Sequence, residues 1–300
     1  MHDDGRAPAS GDSYIAVDWG TTNRRAWLIG GDGAVLDGAR DDRGVLALRP
    51  SDYPREIAAL RDRFGADQVI AAGMVGSTRG WRDVRYVDAP AALPDLAAAL
   101  VAVDPGVWIV PGVALRAGGR CDVMRGEEVQ VLGAVAMGMA AAHGLFCQPG
   151  THNKWIAVAG GRIVDFATAM TGELFALLRT HGILAGMLDG AVADGAAFRR
   201  GVARGAGARD LAVALFEVRA AVLLGDLAGD DAAAFASGVL IGADVGARDD
   251  LAGRTVALLA SGTLATLYAA AIDALGGRVV ALDSDAAFAA GIHAIREHQR

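Results

Sequence analysis

The sequence contains few cysteines, and their positions exclude two classes of protein. Cys121 and Cys147 are the only two, so no disulfide framework can form, which fits a reducing cytoplasm. They are not spaced as paired metal ligands, and the six histidines are scattered along the chain. The sequence therefore indicates neither a disulfide-stabilised secreted protein nor a zinc protein.

Lysine is scarcer still, and its one position excludes two kinds of nucleotide site. Lys154 lies between Asn153 and Trp155. A Walker A loop instead ends in Gly-Lys-Ser/Thr, and a protein kinase carries its lysine in a Val-Ala-Ile-Lys-like strand. The Gly-x-Ser-x-Gly turn of serine hydrolases is also absent. The net charge of −7 offers no basic surface for nucleic acid or an anionic membrane.

The composition is that of a globular protein. Hydrophobic residues make up 53% of the 300 residues, and this length is enough for about two domains. Residues 1–13 are polar and contain Gly, Pro and Ser, which predicts a disordered leader and not a signal peptide. The longest apolar stretch, 129–147, contains Gln130 and His143, so a buried helix explains it better than a membrane span.

One pattern of strands and turns occurs twice. The predicted strands are 14–17, 25–29 and 34–36 in the first copy, and 145–147, 155–158 and 162–166 in the second. The turn after the first strand reads Gly-Thr-x-Asn-basic in both copies, at Gly20–Arg24 and at Gly150–Lys154. A Gly-Gly turn precedes the third strand in each. Agreement in sequence and in position indicates a duplicated unit.

Alternating strands and helices follow each copy, which predicts an α/β fold. We expect two duplicated domains, each opening with three strands joined by hairpins, with a cleft between them. The predicted N-terminal domain is 14–118 and the C-terminal domain is 119–300. Arg116–Arg120, which contains two glycines, is interpreted as the linker.

Asp18 and the turn after it could bind phosphate. Gly20, Thr21, Thr22 and Asn23 offer backbone N–H groups and small polar side chains to phosphate oxygens. Asp18, at the end of the first strand, could hold Mg²⁺, often through water. An ordinary hairpin with good turn-forming residues is the alternative, but a second such loop makes a polyphosphate site more plausible. There Lys154 would act as a point charge for phosphate.

Two further positions suggest chemistry. Glu127 and Glu128 open a helix, where a carboxylate either complements the helix dipole or acts as a general base. The Gly262-Thr263 turn lies between a predicted strand and helix. It is interpreted either as a platform for a nucleotide base or ribose, or as a tight turn.

Several longer motifs resemble the 2-dehydro-3-deoxygalactonokinase family, within the superfamily of sugar kinases, Hsp70 and actin. The similarity extends from Tyr14 over nearly the whole chain. The motifs are DWGTTNRRAWL (18–28), AAGMVGS (71–77) followed by GW (80–81), WIVPG (108–112), VMRGEEVQVLGA (123–134), PGTHNKW (149–155), MTGELF (170–175), LFEVRA (215–220) and SGVLIGADV (237–245). The resemblance implies two duplicated actin-like (ribonuclease H-like) domains.

The resemblance also implies an activity and its cofactors. The expected reaction is phosphorylation of the C6 hydroxyl of 2-dehydro-3-deoxy-D-galactonate by ATP with Mg²⁺, in galactonate catabolism. Asp18 matches the acid that holds the metal, and Glu127 matches the catalytic base, although the larger superfamily has Asp there. Glu128 stays open as the alternative base. The residues implied to bind ATP are Gly20, Thr21, Thr22, Asn23, Gly150, Thr151, His152, Lys154, Gly262 and Thr263.

The substrate's carboxylate requires donors at the other end of a six-carbon chain from Glu127. Arg25 or the backbone of the loop Met74, Val75, Gly76 and Ser77 is favoured for this role. Arg125 is expected to orient Glu127 or to meet a sugar hydroxyl. Trp81 either covers the apolar face of the sugar or belongs to the core.

Three alternatives to this activity stay open. The chain could phosphorylate another small sugar or sugar acid, hydrolyse polyphosphate, or act as an ATP-driven switch of the same superfamily. The expected partner is a small sugar acid in the cytoplasm, without nucleic acid or membrane. The oligomeric state is left open, with a homodimer as one alternative.

Overall fold

The structure is a computed structural model that describes residues 12–249 and 251–299. The chain forms two compact units. The first comprises residues up to His143, Val158–Asp165 and the segment from Ser284 onward, and the second comprises Gly144–Ala157 and Phe166–Asp283. Two segments of the chain therefore return to the first unit after the second has begun.

The elements follow the order expected of alternating α and β structure. Those up to residue 136 are β1 (Tyr14–Trp19), β2 (Arg24–Ile29), β3 (Val35–Asp41), α1 (Tyr53–Phe64), β4 (Val69–Gly73), β5 (Val87–Asp88), α2 (Leu93–Ala98), β6 (Val101–Asp104), β7 (Val107–Ile109), β8 (Val113–Ala117), β9 (Arg120–Met124) and α3 (Glu127–Ala136). Those that follow are β10 (Gly144–Gln148), β11 (Asn153–Ala159), β12 (Arg162–Ala169), α4 (Thr171–Thr180), α5 (Ala196–Ala206), α6 (Leu211–Leu224), α7 (Ala232–Gly246), β13 (Thr255–Leu259), α8 (Gly262–Ala274), β14 (Arg278–Leu282) and α9 (Ser284–Gln299).

The two main sheets share one strand order, and the first has one further strand, β6, at its end. Their strand orders are β3-β2-β1-β4-β7-β6 and β12-β11-β10-β13-β14. In the first, β1 pairs antiparallel with β2 and parallel with β4. In the second, β10 runs parallel to β13, which runs parallel to β14. The duplicated unit predicted from the sequence is confirmed in each half.

Strand β1 is the centre of the first sheet and is buried along its whole length. Its apolar residues join the core that α1 covers, including Tyr53 and Ile57. The parallel register pairs Asp18 with Ala72 and Trp19 with Gly73. The carboxyl ends of β1 and β4 therefore meet at one edge, where open α/β sheets bind ligands.

Two sequence-based expectations for the middle of the chain are wrong. The stretch 129–147 is not one helix, because α3 ends at Ala136 and β10 begins at Gly144. The predicted linker Arg116–Arg120 is the tip of a hairpin, in which Arg116 pairs with Cys121 and Ala117 with Arg120. Gly118 and Gly119 adopt positive φ angles of 58° and 75°, which a tight two-residue hairpin turn requires. Among the described residues, no helix is long and apolar enough to cross a membrane.

The division into units also differs from the boundary expected at residue 118. Helix α3 belongs to the first unit, and so does α9 at the other end of the chain. The predicted leader, 1–13, lies outside the described residues except for Asp12 and Ser13. Ser13 is buried, and Asp12 accepts a hydrogen bond from Arg296 of α9.

Helices α3 and α9 pack closely against each other at one glycine on each helix. A Cβ atom on Gly133 would lie 2.1 Å from the carbonyl oxygen of Ala287, and one on Gly291 would lie 2.2 Å from that of Val129. Backbone cannot yield as the end of a flexible side chain can. The two glycines therefore allow the contact that keeps α9 in the first unit.

We expect Gly133→Ala to destabilise the protein. The added methyl group should lower the free energy of unfolding by roughly 1–3 kcal/mol through overpacking, despite the higher helix propensity of alanine. Thermal unfolding followed by circular dichroism measures the change. Gly144→Ala is the matched control, because a Cβ there meets nothing within 4 Å. Equal stability of the two variants would contradict the close approach of α3 and α9.

Candidate active site

Asp18 is a buried carboxylate held by an arginine at the edge of the first sheet. It lies opposite Arg25 in the β1–β2 register, and its Oδ2 accepts a hydrogen bond from Nη2 of Arg25. Nη1 of Arg25 donates to Oδ1 of Asp285, at the start of α9, over 2.7 Å. Arg25 therefore bridges two carboxylates and does not present an open fork to solvent.

The surroundings of Asp18 favour a cation beside it. Burial raises the pKa of Asp18, the Arg25 guanidinium acts in the opposite direction, and the charges of Glu127 and Asp285 raise the pKa further. The described residues contain no group of three or more His, Cys, Asp or Glu that could hold a metal ion. One carboxylate beside a phosphate loop nevertheless fits Mg²⁺, which is usually bound by one or two carboxylates together with substrate phosphates.

The backbone of the turn between β1 and β2 is held by hydrogen bonds, and its side chains are exposed. The carbonyl groups of Gly20, Thr21 and Thr22 accept hydrogen bonds from the backbone N–H groups of the segment 44–46. The Thr21, Thr22 and Asn23 side chains are exposed. A rigid backbone with exposed small polar side chains suits contact with phosphate oxygens.

Glu127 reaches the same edge of the sheet through a close approach of two glycines. Gly73 ends β4 with φ 92°, and Gly126 precedes α3 with φ 107°. A Cβ on Gly126 would lie 3.2 Å from the Cα of Gly73, and one on Gly73 would lie 3.3 Å from Oδ1 of Asp18. The fold therefore brings Asp18 and the first turn of α3 together.

Burial distinguishes the two glutamates that open α3. Glu127 is half-buried, and its Oε2 accepts a hydrogen bond from the backbone N–H of Arg125 over 2.9 Å. Glu128 is fully buried, and both its oxygens lie 2.8 Å from the backbone nitrogen of Gly126. Burial, with the nearby charge of Glu127, raises the pKa of Glu128 to about 8. The geometry therefore favours Glu127 for contact with a substrate and Glu128 for anchoring the helix start.

The other residues predicted to bind substrate surround β4. Met74–Gly76 forms a 3₁₀ turn after the strand, and Ser77 closes it by donating from Oγ to the Met74 carbonyl over 2.7 Å. Trp81 is half-buried and stacks on Tyr53 with ring centroids 5.5 Å apart. This contact with the core supports the core interpretation of Trp81.

The second Gly-Thr loop differs from the first in which of its residues are buried. Thr151 and His152 are exposed, and Nε2 of His152 lies 2.6 Å from Oε2 of Glu173. Asn153 and Lys154 are buried at the start of β11, and Nζ of Lys154 donates to Oγ1 of Thr168 over 2.8 Å. The matched asparagines therefore lie in different environments, and Lys154 is not an exposed hairpin lysine.

Asp244, on α7, is a functional candidate that the sequence analysis missed. Its carboxylate accepts hydrogen bonds from Asn153 Nδ2 over 2.6 Å, Trp155 Nε1 over 3.0 Å and the Tyr268 hydroxyl over 2.9 Å. Burial raises its pKa, and these donors oppose that rise. The available signal was a single acid within the apolar helix sequence 237–245. Asp244 connects the second loop to α8.

A pocket in the second unit lies beside this network. It is lined mainly by apolar side chains, with a few hydroxyl groups, including Gly150, Thr171, Phe175, Thr263, Leu264 and Tyr268. Gly262, which begins α8 with φ 64°, precedes Thr263. The fold therefore brings together the second loop and the Gly262-Thr263 turn, as a site for a nucleoside would require.

Comparison with known proteins identifies relatives across most of the chain. The sequence model of the family described as 2-keto-3-deoxy-galactonokinase matches residues 18–295. The 2-dehydro-3-deoxygalactonokinase of Escherichia coli strain K12 is 38% identical over 234 residues, which cover 77% of this chain and 79% of the relative.

Solved structures agree with this family at the level of the fold. A crystal structure of a candidate 2-dehydro-3-deoxygalactonokinase from Sinorhizobium meliloti is 39% identical, with a TM-score of 0.84 over 95% of this chain and 98% of the other. Component A of the (R)-2-hydroxyglutaryl-CoA dehydratase of Acidaminococcus fermentans is 13% identical, with a TM-score of 0.53 over 96% and 99%. That second likeness concerns the fold alone. The expected two-domain, actin-like α/β architecture is confirmed.

Glu128 should make stability depend on pH. Its carboxyl ordinarily titrates near 4.5, and in the folded protein near 8. Between pH 4.5 and about 8, the folded protein holds a proton that the unfolded chain has released. The contribution of Glu128 to the free energy of unfolding is therefore fully present below pH 4.5, and it is lost as the pH rises through about 8. We expect a lower Tm at pH 9 than at pH 6, and a smaller difference in Glu128→Gln. Asp62→Asn, which changes an exposed carboxylate, is the control and should keep the wild-type difference in Tm between pH 6 and pH 9. If Glu128→Gln also keeps that difference, Glu128 is not the group responsible.

Proposed function

The chain belongs to the 2-keto-3-deoxy-galactonokinase family, and we propose from this premise that it transfers the γ-phosphoryl group of ATP to the C6 hydroxyl of 2-dehydro-3-deoxy-D-galactonate. It is a kinase, and its relatives do not favour hydrolysis of polyphosphate or an ATP-driven switch. A cytoplasmic location and a role in galactonate catabolism are part of the proposal.

The observation that carries this proposal is the convergence of three features at one edge of the first sheet. Asp18 ends β1, the exposed loop Gly20–Asn23 follows it, and Glu127 reaches the same edge through the contact between Gly73 and Gly126. Phosphoryl transfer depends on positioning and on charge stabilisation more than on covalent chemistry. A carboxylate for the metal, a phosphate loop and a general base are the groups that it requires.

We assign the nucleotide contacts to both Gly-Thr loops. Gly20, Thr21, Thr22 and Asn23 would bind phosphate oxygens, and so would Gly150, Thr151 and His152. Lys154 would contribute its charge from within β11. The pocket that includes Thr263, with Gly262 beside it, would receive the adenosine, because its lining is apolar with few polar groups.

Glu127 would take the proton from the C6 hydroxyl as that oxygen attacks the γ-phosphorus. Its carboxylate is oriented by the Arg125 backbone N–H, and its half-buried position leaves it open to a substrate. Mg²⁺, bound with the nucleotide, would supply charge neutralisation at the phosphate oxygens, and Asp18 is the residue that would hold it through water. The Met74–Ser77 turn would line the sugar side of the site.

A coupled assay of ADP release over a panel of 2-keto-3-deoxy sugar acids tests this function. We expect release that depends on the sugar acid, with 2-dehydro-3-deoxy-D-galactonate among the best acceptors and a C6-phosphorylated product. The C6-deoxy analogue is the matched control and should not be phosphorylated. ADP release at the same rate without any sugar acid would contradict the kinase assignment and favour a hydrolase or a switch.

Glu127→Gln should lower kcat by about 10²–10⁴, the usual contribution of general acid–base catalysis. The KM for ATP should change little, because the proposed base acts on the acceptor. Steady-state kinetics with both substrates varied measures the two constants. If Glu127→Gln keeps near-full activity and Glu128→Gln loses it, the base is Glu128 and not Glu127.

A further inference from the structure

Arg125 is a buried arginine that uses only part of its hydrogen-bonding capacity within the described residues. The residue is 8% exposed, at the junction between β9 and α3. Nη2 donates to the carbonyl oxygen of Val84 over 2.7 Å, and the guanidinium lies 4.2 Å from the centre of the Tyr86 ring. The Nε and Nη1 atoms are buried and have no hydrogen-bond partner in the structure.

An arrangement of this kind is costly unless a ligand completes it. Buried cations are normally paired with an anion, because burial without compensation costs several kcal/mol. The Tyr86 ring beside the guanidinium compensates the charge only in part. The N–H donors of Nε and Nη1 have no acceptor, and an anion is the acceptor that a guanidinium prefers.

We propose that Arg125 is the residue that binds the substrate's carboxylate and so sets the preference for a sugar acid. The inference rests on the proposed function, and it assigns the acid group of that substrate to one side chain. A carboxylate is planar and accepts charge-assisted hydrogen bonds, which suits the free N–H groups of a guanidinium. The sequence favours Arg25 or the backbone of Met74–Ser77 for this role.

Arg25 is the weaker candidate, because its donors are already engaged by carboxylates. It pairs with Asp18 through Nη2 and with Asp285 through Nη1. A substrate carboxylate would have to displace one of these partners and would add a third negative charge nearby. Arg125 offers free donors, and no carboxylate in the described part of the chain lies within salt-bridge distance of it.

The side chain of Arg125 lies beside the turn that follows β4. Its backbone lies two residues from Glu127, but the long side chain extends to the Met74–Gly76 turn, on which Nη1 rests. A Cβ on Gly76 would lie 2.8 Å from this nitrogen. The guanidinium therefore lies beside the turn that is proposed to line the sugar side of the site. The lack of a side chain at Gly76 leaves room for it.

The preference for an acid over its neutral analogue is the decisive measurement. We would compare kcat/KM for 2-dehydro-3-deoxy-D-galactonate with kcat/KM for its C1 amide, in the wild type and in Arg125→Gln. We expect Arg125→Gln to reduce the acid-to-amide ratio by about 10²-fold, as loss of a buried charge-assisted contact does. Arg125→Lys, which keeps the charge without the planar fork, should give an intermediate ratio.

Controls separate binding of the carboxylate from a structural role. Arg116→Gln removes an exposed arginine of β8 that pairs with Asp88, and it should keep the wild-type ratio. If Arg125→Gln does not fold, judged by its Tm, the ratio in Arg125→Lys decides the question. A variant that loses activity toward acid and amide equally would show a structural role and overturn the proposal.

Binding of a small 2-keto acid gives a second readout that is independent of turnover. Pyruvate, titrated into the protein and followed by NMR, should compete with the sugar acid and should bind at least tenfold more weakly to Arg125→Gln. An unchanged affinity for pyruvate, with an unchanged acid-to-amide ratio, would return the role to Arg25 or to the backbone. The proposed function fails separately, if the wild-type protein phosphorylates no sugar acid at all.

Discussion

The candidate site depends on the burial of one negative charge at the end of β1. Asp18 lies where the central strand of the first sheet reaches its carboxyl edge, and the strand is buried along its length. Such a charge is stable only beside a cation, and Arg25 supplies it from the neighbouring strand. Through Asp285, the same arginine links this edge to the start of α9. Charge compensation thus joins the β1–β2 hairpin and the last helix at the place where chemistry is proposed.

Patterns within short stretches of sequence predicted many of the strands, whereas contacts between residues far apart in sequence determined the rest of the fold. The predicted strands 14–17, 25–29, 145–147 and 155–158 fall within β1, β2, β10 and β11. The hairpin of β8 and β9 was taken for a linker, because two adjacent glycines are equally typical of a flexible connection and of a tight turn. The placement of α3 with α9 could not be read from either segment, because it arises from glycines that are far apart in sequence.

The candidate site was predictable where residue type alone carries information, and less so where burial decides. Strand-end and helix-start positions mark Asp18, Glu127 and Glu128 as candidates, and the family resemblance singles out Glu127. The residues alone do not decide between the two glutamates, because adjacent positions in a sequence do not reveal which side chain is buried. For the same reason, the sequence did not reveal the role of Asp244 or the burial of Asn153 and Lys154. A motif that is repeated in sequence can lie in two different environments.

The return of α9 to the first unit has a consequence for how the protein is made. A ribosome releases the residues of β1 to α3 first, but the helix that packs against α3 emerges only after the whole second unit. Until then the glycine-bearing face of α3 lacks its partner, and Arg25 lacks the carboxylate of Asp285. All strands of the first sheet precede those of the second, but the first unit lacks its last helix until the second unit has been synthesised. The half of the protein that is translated first is the half that is finished last.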